Sequence, residues 1–99
     1  MERFDLFPCD LSKSVVALVS ICDLLDFERP QNLRPMNMVT FVNLANDVAI
    51  KLGIPERASN NLELLGKVVQ AIIDASIIQG RTSLNQVEQV YNKKILELS

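Results

Sequence analysis

Residues 38–55, MVTFVNLANDVAIKLGIP, decide the fold class of this chain. Apolar residues recur in this stretch at spacings of three and four, the pattern of a helix that buries one face. Its end is also encoded, because Gly53 can adopt the left-handed cap conformation, Ile54 can fold back on the last turn and Pro55 blocks continuation. The stretch therefore predicts an amphipathic helix over about residues 37–52. Its buried stripe would consist of Met38, Phe41, Val42, Ala45, Val48, Ala49 and Leu52.

Capping residues predict where the helices begin. Asn37 can cap the helix just described, since an asparagine oxygen accepts from the unpaired amides of a first turn. Asn60 with Glu63, and Ser83 with Gln86, have the spacing of a capping box, in which each side chain bonds the other residue's amide. We expect four helices. They span about residues 11–26, 37–52, 61–79 and 84–97.

The first and third predicted helices are apolar on nearly every side, so we expect them to lie at the centre of the fold. Residues 72–78, IIDASII, are rich in β-branched side chains, and a buried strand is the alternative there. The length of the apolar pattern and the signals at both of its ends favour a helix. The polar side chains of this third helix would form one narrow strip: Glu63, Lys67, Gln70 and Asp74.

Four helices joined by short connections predict an all-α fold, an up-and-down four-helix bundle with room for a short extra turn. The 99 residues of the chain suit one domain, residues 1–99. Apolar residues make up 48% of the sequence, and the mean hydropathy is +0.19. A small domain cannot hide that much apolar surface in one core, so we expect a homodimer or another protein partner.

The charge balance disfavours nucleic acid and membranes as partners. Ten basic and 12 acidic residues leave a formal net charge of −2, with no positive field to attract phosphate. Acidic and basic residues interrupt the most apolar segments before they reach the roughly 18 residues of a membrane span. The first residues lack the pattern of a secretion signal. We expect a soluble chain in the cytoplasm.

The composition also lacks most of the chemistry that catalysis requires. Histidine, the commonest general base and a common zinc ligand, is absent. Two separated cysteines cannot make a structural zinc site alone, and the three glycines are isolated, which excludes phosphate-binding glycine motifs. We therefore predict no enzyme activity, no metal and no cofactor. Cys22 is expected to be a small buried apolar residue.

Aliphatic residues that lie off the buried stripes are the predicted partner-binding surface. Burying one such side chain contributes about 1.5–3 kcal/mol, so a contiguous group can hold a protein partner. Some of them could instead widen the core of a monomer. The group consists of Val16, Leu24, Val39, Leu44, Ile50, Leu64 and Ile77.

Three arginines suggest a second, weaker hypothesis. In an up-and-down bundle the first and third connections share one end, which would bring Arg29, Arg34 and Arg81 near the amino ends of two helices. Guanidinium groups and helix amino ends both attract anions. The arginines would then contact an anion or an acidic partner, although three solvated loop arginines are the favoured explanation of the pattern.

These features favour a small non-enzymatic protein-interaction module: a regulator, adaptor or assembly subunit that acts through an apolar helical face. The alternative is a helix-turn-helix DNA-binding regulator, suggested by the break at residues 53–55 between two helices. Lys67 is the one basic residue of the helix after that break, which disfavours insertion into a DNA groove.

Overall fold

The computed structural model of the chain describes residues 11–28 and 37–98. Within these ranges the protein is all-helical, and residues 72–78 belong to the third helix, as predicted, and do not form the alternative strand. No helical turn beyond the four helices is found in the described ranges. The helices are α1 (Leu11–Leu25), α2 (Met38–Leu52), α3 (Leu62–Ile78) and α4 (Leu84–Leu98).

The predicted caps at both ends of α2 are confirmed. The Asn37 side chain accepts from the Thr40 amide at 2.9 Å at the start of α2. Gly53 ends this helix at φ 72°, and the Ile54 amide donates back to the Ala49 carbonyl at 3.1 Å. Because an L side chain is strained at such a positive φ, glycine is the residue that this position favours.

The predicted capping boxes have different outcomes. Ser83 and Gln86 cap α4 reciprocally, with amide-to-side-chain distances of 3.2 and 3.3 Å. At α3 the cap is Asn61 and not Asn60, since the Asn61 side chain accepts from the amides of Glu63 and Leu64. The helix therefore begins one residue later than the box predicts, and Asn60 stays outside it.

The two most apolar helices form the centre, as predicted. Helix α1 packs mainly against α3 and α4, while α3 also packs against α2, and the contact between α1 and α2 is slight. The residues of α1 from Val16 to Cys22 are all buried. The spatial order of the helices is thus α4, α1, α3, α2.

The up-and-down arrangement is wrong for α2 and α3. The two helices end together, since Gln79 Nε2 donates to the Leu52 carbonyl at 2.8 Å. They also begin together, because Asn60 lies beside Val39 and Val42. Both helices therefore run in the same general direction.

The connection between α2 and α3 explains this parallel course. Residues 53–61 return along the side of α2 before α3 begins. Asn46, in the middle of α2, holds the returning segment in two bonds: its Nδ2 donates to the Ala58 carbonyl at 3.2 Å, and its Oδ1 accepts from the Ala58 amide at 2.6 Å. The Ala58 side chain is buried in the core. A carboxamide can satisfy both groups of one peptide unit, which fixes the segment against the helix.

We predict that Asn46→Ala lowers the free energy of unfolding by about 1–3 kcal/mol, because it leaves the backbone groups of Ala58 without partners. Urea denaturation followed by circular dichroism would measure the loss. Asn43→Ala is the matched control on the same helix, where an exposed side chain predicts a change within about 0.5 kcal/mol. Equal effects of the two substitutions would contradict the assigned role of Asn46.

Candidate functional site

The side of α2 that faces away from the core carries two exposed aliphatic side chains. Val39 is 68% exposed and Ile50 is 59% exposed. Asn43 lies between them and is also exposed. Spacings of four and seven residues place the three side chains on one line along a helix. We call Val39, Asn43 and Ile50 the outer ridge of α2.

A small hollow lies beside the amino-terminal half of the outer ridge. It has a volume of about 140 Å³ and is lined by Val39, Val42, Asn43 and Asn60. Valine side chains form its apolar part and two carboxamides form its polar part, and no charged residue lines it. Leu62 and Leu64, both exposed, open α3 within four positions of Asn60.

A larger groove lies on the opposite flank of α2. Its volume is about 390 Å³, and its lining is mixed: Glu28, Thr40, Asn43, Leu44, Asp47, Val48 and Lys51. The Lys51 ammonium lies 5.0 Å from the centre of the Phe27 ring, a cation–π contact that ties α2 to the segment after α1. Two acidic residues and one basic residue line the groove. The groove therefore has no cluster of like charge that would select one ligand.

The structure divides the seven predicted partner-binding residues into three groups. Val39, Ile50 and Leu64 are exposed. Leu24 and Ile77 are half-buried and pack against the core. Val16 and Leu44 are buried, and they are therefore removed from the candidate surface.

Val16 belongs to the run of α1 residues from Val16 to Cys22, which is buried on every side of the helix. A single helical stripe identifies the side chains that face one neighbour, whereas α1 packs against both α3 and α4. Off-stripe residues of such a helix are interior residues. Leu44 is buried for a related reason, since it sits at the margin of the α2 stripe and widens the buried face.

Exposed aliphatic residues outside the predicted group also occur. Ile78 ends α3 and Leu96 lies near the end of α4, where they are 84% and 75% exposed. Position near a helix end is the signal that could have identified them, because the last turn extends past its neighbours. They are isolated, and scattered single apolar residues are normal on a protein surface.

The arginine hypothesis remains a prediction. Arg29 and Arg34 lie outside the described residues. Arg81 is exposed, and its Nε donates to Gln79 Oε1 at 2.8 Å in the turn after α3.

The polar strip of α3 is only half exposed. Glu63 and Lys67 form a solvated ion pair at 3.4 Å. Gln70 is 4% exposed and donates to Asp74 at 3.1 Å, and Asp74 is half-buried, so the second half of the strip is less exposed than the first. Its side chains bond one another, which is how buried polar groups are accommodated.

Asp23 joins two helices through an ion pair. Its carboxylate accepts from the Lys94 ammonium at 2.6 Å, and both side chains are partly covered. The ion pair connects the last turn of α1 to α4. Asp26 is exposed and follows α1 in the left-handed conformation, with φ 59°.

In the described part of the chain, no group of three or more histidine, cysteine, aspartate or glutamate side chains could hold a metal ion. Cys22 is buried in the core cluster, as predicted. Across residues 11–28 and 37–98, no helix combines the length and the apolar character that crossing a bilayer requires.

The chain matches no protein-family model, and searches of curated proteins and of solved structures find no match. The fold class is that of a small all-helical bundle. The candidate surface is consequently argued from the chemistry of its own residues.

We predict that Val16→Ala lowers the free energy of unfolding by about 1.5–3 kcal/mol, because it removes two methyl groups from a fully buried site. Val39→Ala, the same substitution at an exposed site, should change it by no more than about 0.5 kcal/mol. Chemical denaturation of the two variants beside the unmodified chain measures both values. A larger loss at Val39 than at Val16 would contradict the division into core and surface.

Proposed function

We propose that this chain is a small non-enzymatic protein-interaction module, a regulator, adaptor or assembly subunit, that binds another protein through the outer ridge of α2 and the hollow beside it. The partner is a second copy of the chain or a different protein. A cytoplasmic location, away from membranes, is part of the same proposal.

The observation that supports the proposal most is the exposure of Val39 and Ile50 on one line of a helix whose opposite face is fully buried. The folded chain leaves both side chains more than half in water. Full burial of one such side chain contributes about 1.5–3 kcal/mol. Burial of the ridge by a partner would therefore contribute substantially to the free energy of binding. The hollow adds a shape into which one side chain can dock.

A DNA-binding function has weaker support. The helix-turn-helix motif joins its helices by a turn of three or four residues, whereas residues 53–61 separate α2 from α3. Helix α3 lies between α1 and α2, and its Lys67 is paired with Glu63. A recognition helix must instead present a basic, accessible face to the groove.

An enzymatic function also has weaker support than binding. The chain contains no histidine, and the side chains that line the hollow are two valines and two asparagines. Neither residue type serves as a nucleophile or as a general acid or base at neutral pH. The hollow suits contact and hydrogen bonding.

We predict that Val39→Asp reduces partner binding by about tenfold or more, because it places an unpaired charge in an apolar contact. The immobilised chain would be used to capture proteins from an extract of its native cell, with quantification by mass spectrometry. Leu96→Asp is the matched control, an exposed aliphatic residue on α4, and it should leave the captured proteins unchanged.

Both variants should first show the helical signal and the unfolding midpoint of the unmodified chain, since both residues are exposed. Identical captured proteins for all three chains would contradict binding through the outer ridge.

A further inference from the structure

Helix α4 is the least anchored of the four helices. Among the described residues of the core cluster, Val87 is the one member that belongs to α4, whereas α2 supplies six members and α3 five. Leu84 and Tyr91 pack against the cluster but stay half-buried. Of the other helices, α4 packs mainly against α1. The core cluster therefore consists almost entirely of side chains that do not belong to α4.

Each of α3 and α4 satisfies its own end at the turn that joins them. The amides of Arg81 and Thr82 donate to the Ser76 carbonyl at 2.9 and 3.4 Å, which completes the end of α3. Ser83 and Gln86 cap α4 from within its own first turn. Rotation of the chain between these two sets of bonds breaks none of them. Helix α4 is thus built to move as a unit.

The side of α1 that lies under α4 is apolar. Every residue of α1 from Val16 to Cys22 is buried, and α4 covers one side of this run. Departure of α4 would expose apolar surface of α1 to water, which is unfavourable. The open form is consequently a minor state. A ligand that binds only the open form raises its population.

We propose that α4 is a displaceable helix, and that the side of α1 beneath it is a docking site for an amphipathic helix of a different protein. The site is distinct from the outer ridge of α2. The incoming helix copies the inner face of α4, with apolar side chains where α4 has Leu84, Val87 and Tyr91. One turn further on it carries a lysine or arginine that pairs with Asp23, as Lys94 does at 2.6 Å.

A different protein is favoured over a second copy because exchange between identical chains gains no contact. The α4 of a second copy makes on α1 the contacts that the chain's own α4 already makes, and association costs translational and rotational freedom. A different helix has contacts to gain, since Leu84 and Tyr91 leave part of their surface in water. Larger apolar side chains at these positions would bury more surface.

Native-state hydrogen exchange of the unmodified chain tests whether α4 opens separately. The slowest amides of α4 should exchange at least about tenfold faster than the slowest amides of α1 and α3, because opening of α4 leaves most of the core cluster in place. Comparison of the slowest amides removes the effect of fraying at helix ends. Equal protection in the three helices overturns the proposal.

A labelled synthetic peptide of residues 82–98 then serves as the incoming helix, with fluorescence anisotropy as the measure of affinity. It is added to the full chain with Val87→Asp, in which a charge at a fully buried position weakens the docking of α4. This chain should bind the peptide at least about ten times more tightly than the unmodified chain, where the native α4 competes. The peptide that itself carries Val87→Asp should not bind.

Leu96→Asp is the matched control in the chain, since it places the same charge at an exposed position of α4. It should leave the affinity for the peptide as in the unmodified chain. Should Val87→Asp unfold the whole chain, the milder Val87→Ala replaces it and should still bind the peptide more tightly than the unmodified chain does. A folded Val87 variant without this gain overturns the proposal.

The ion pair tests whether the peptide takes the place of α4. A peptide with Lys94→Glu should bind the Val87→Asp chain about two to five times more weakly, as expected for a partly exposed ion pair. Adding Asp23→Lys to that chain should reverse the order of the two peptides. A peptide with Lys93→Glu, changed at an exposed position, is the control. Equal losses for the two altered peptides overturn the placement.

Two further measurements decide the source of the helix. A peptide with Leu84→Phe, which adds apolar surface at a half-buried position, should bind the unmodified chain at least about three times more tightly than the native peptide. Sedimentation velocity of the unmodified chain should show a monomer. A dimer that Leu96→Asp retains and Val87→Asp abolishes overturns the choice of a different protein, because α4 then exchanges between copies.

Discussion

The burial of α1 on all sides is the constraint on which the rest of the structure depends. Its residues from Val16 to Cys22 have no contact with water, so the rest of the protein must cover it from more than one direction. Helix α3 is itself almost entirely apolar and covers one side, while α4 covers another through buried Val87 and the ion pair from Lys94 to Asp23. Two helices as apolar as these bury the most apolar surface when they pack against each other at the centre. The amphipathic α2 and α4 are then left for the outside.

The outer position of α2 follows from the central position of α1 and α3, but the direction in which α2 runs does not. Periodicity reveals which residues face inward, and it contains no information on whether the next helix runs back or alongside. Direction depends on the Asn46 carboxamide, which holds Ala58, and on Gln79, which reaches the Leu52 carbonyl. These contacts join residues that are distant in sequence. In the sequence alone, their polar side chains cannot be distinguished from those that are exposed to solvent. Helix existence, boundaries and most caps were therefore predictable from local rules, while the up-and-down order was not.

The same distinction explains the candidate surface. Off-stripe aliphatic residues are predicted to be exposed, and on α2, which has a core contact on one side only, Val39 and Ile50 are exposed. The prediction is wrong for Val16, because a stripe indicates one buried face whereas α1 is buried on every side from Val16 to Cys22. The hollow was not predictable at all. It exists because the connection returns along α2 and sets Asn60 beside Val39, and because the cap of α3 falls on Asn61 and leaves Asn60 outside the helix.

The returning connection therefore links the fold to the proposed function. Had residues 53–61 formed a short turn into an antiparallel α3, Asn60 would lie at the carboxyl end of α2, near Ile50, and Ile50 and the hollow would coincide. Their separation along the helix places the exposed Ile50 and the hollow at opposite ends of the outer ridge. The pair of bonds between Asn46 and Ala58 fixes that separation, because it determines where along α2 the returning segment lies. A contact within the chain thus sets the geometry of the surface through which we propose that the chain binds its partner.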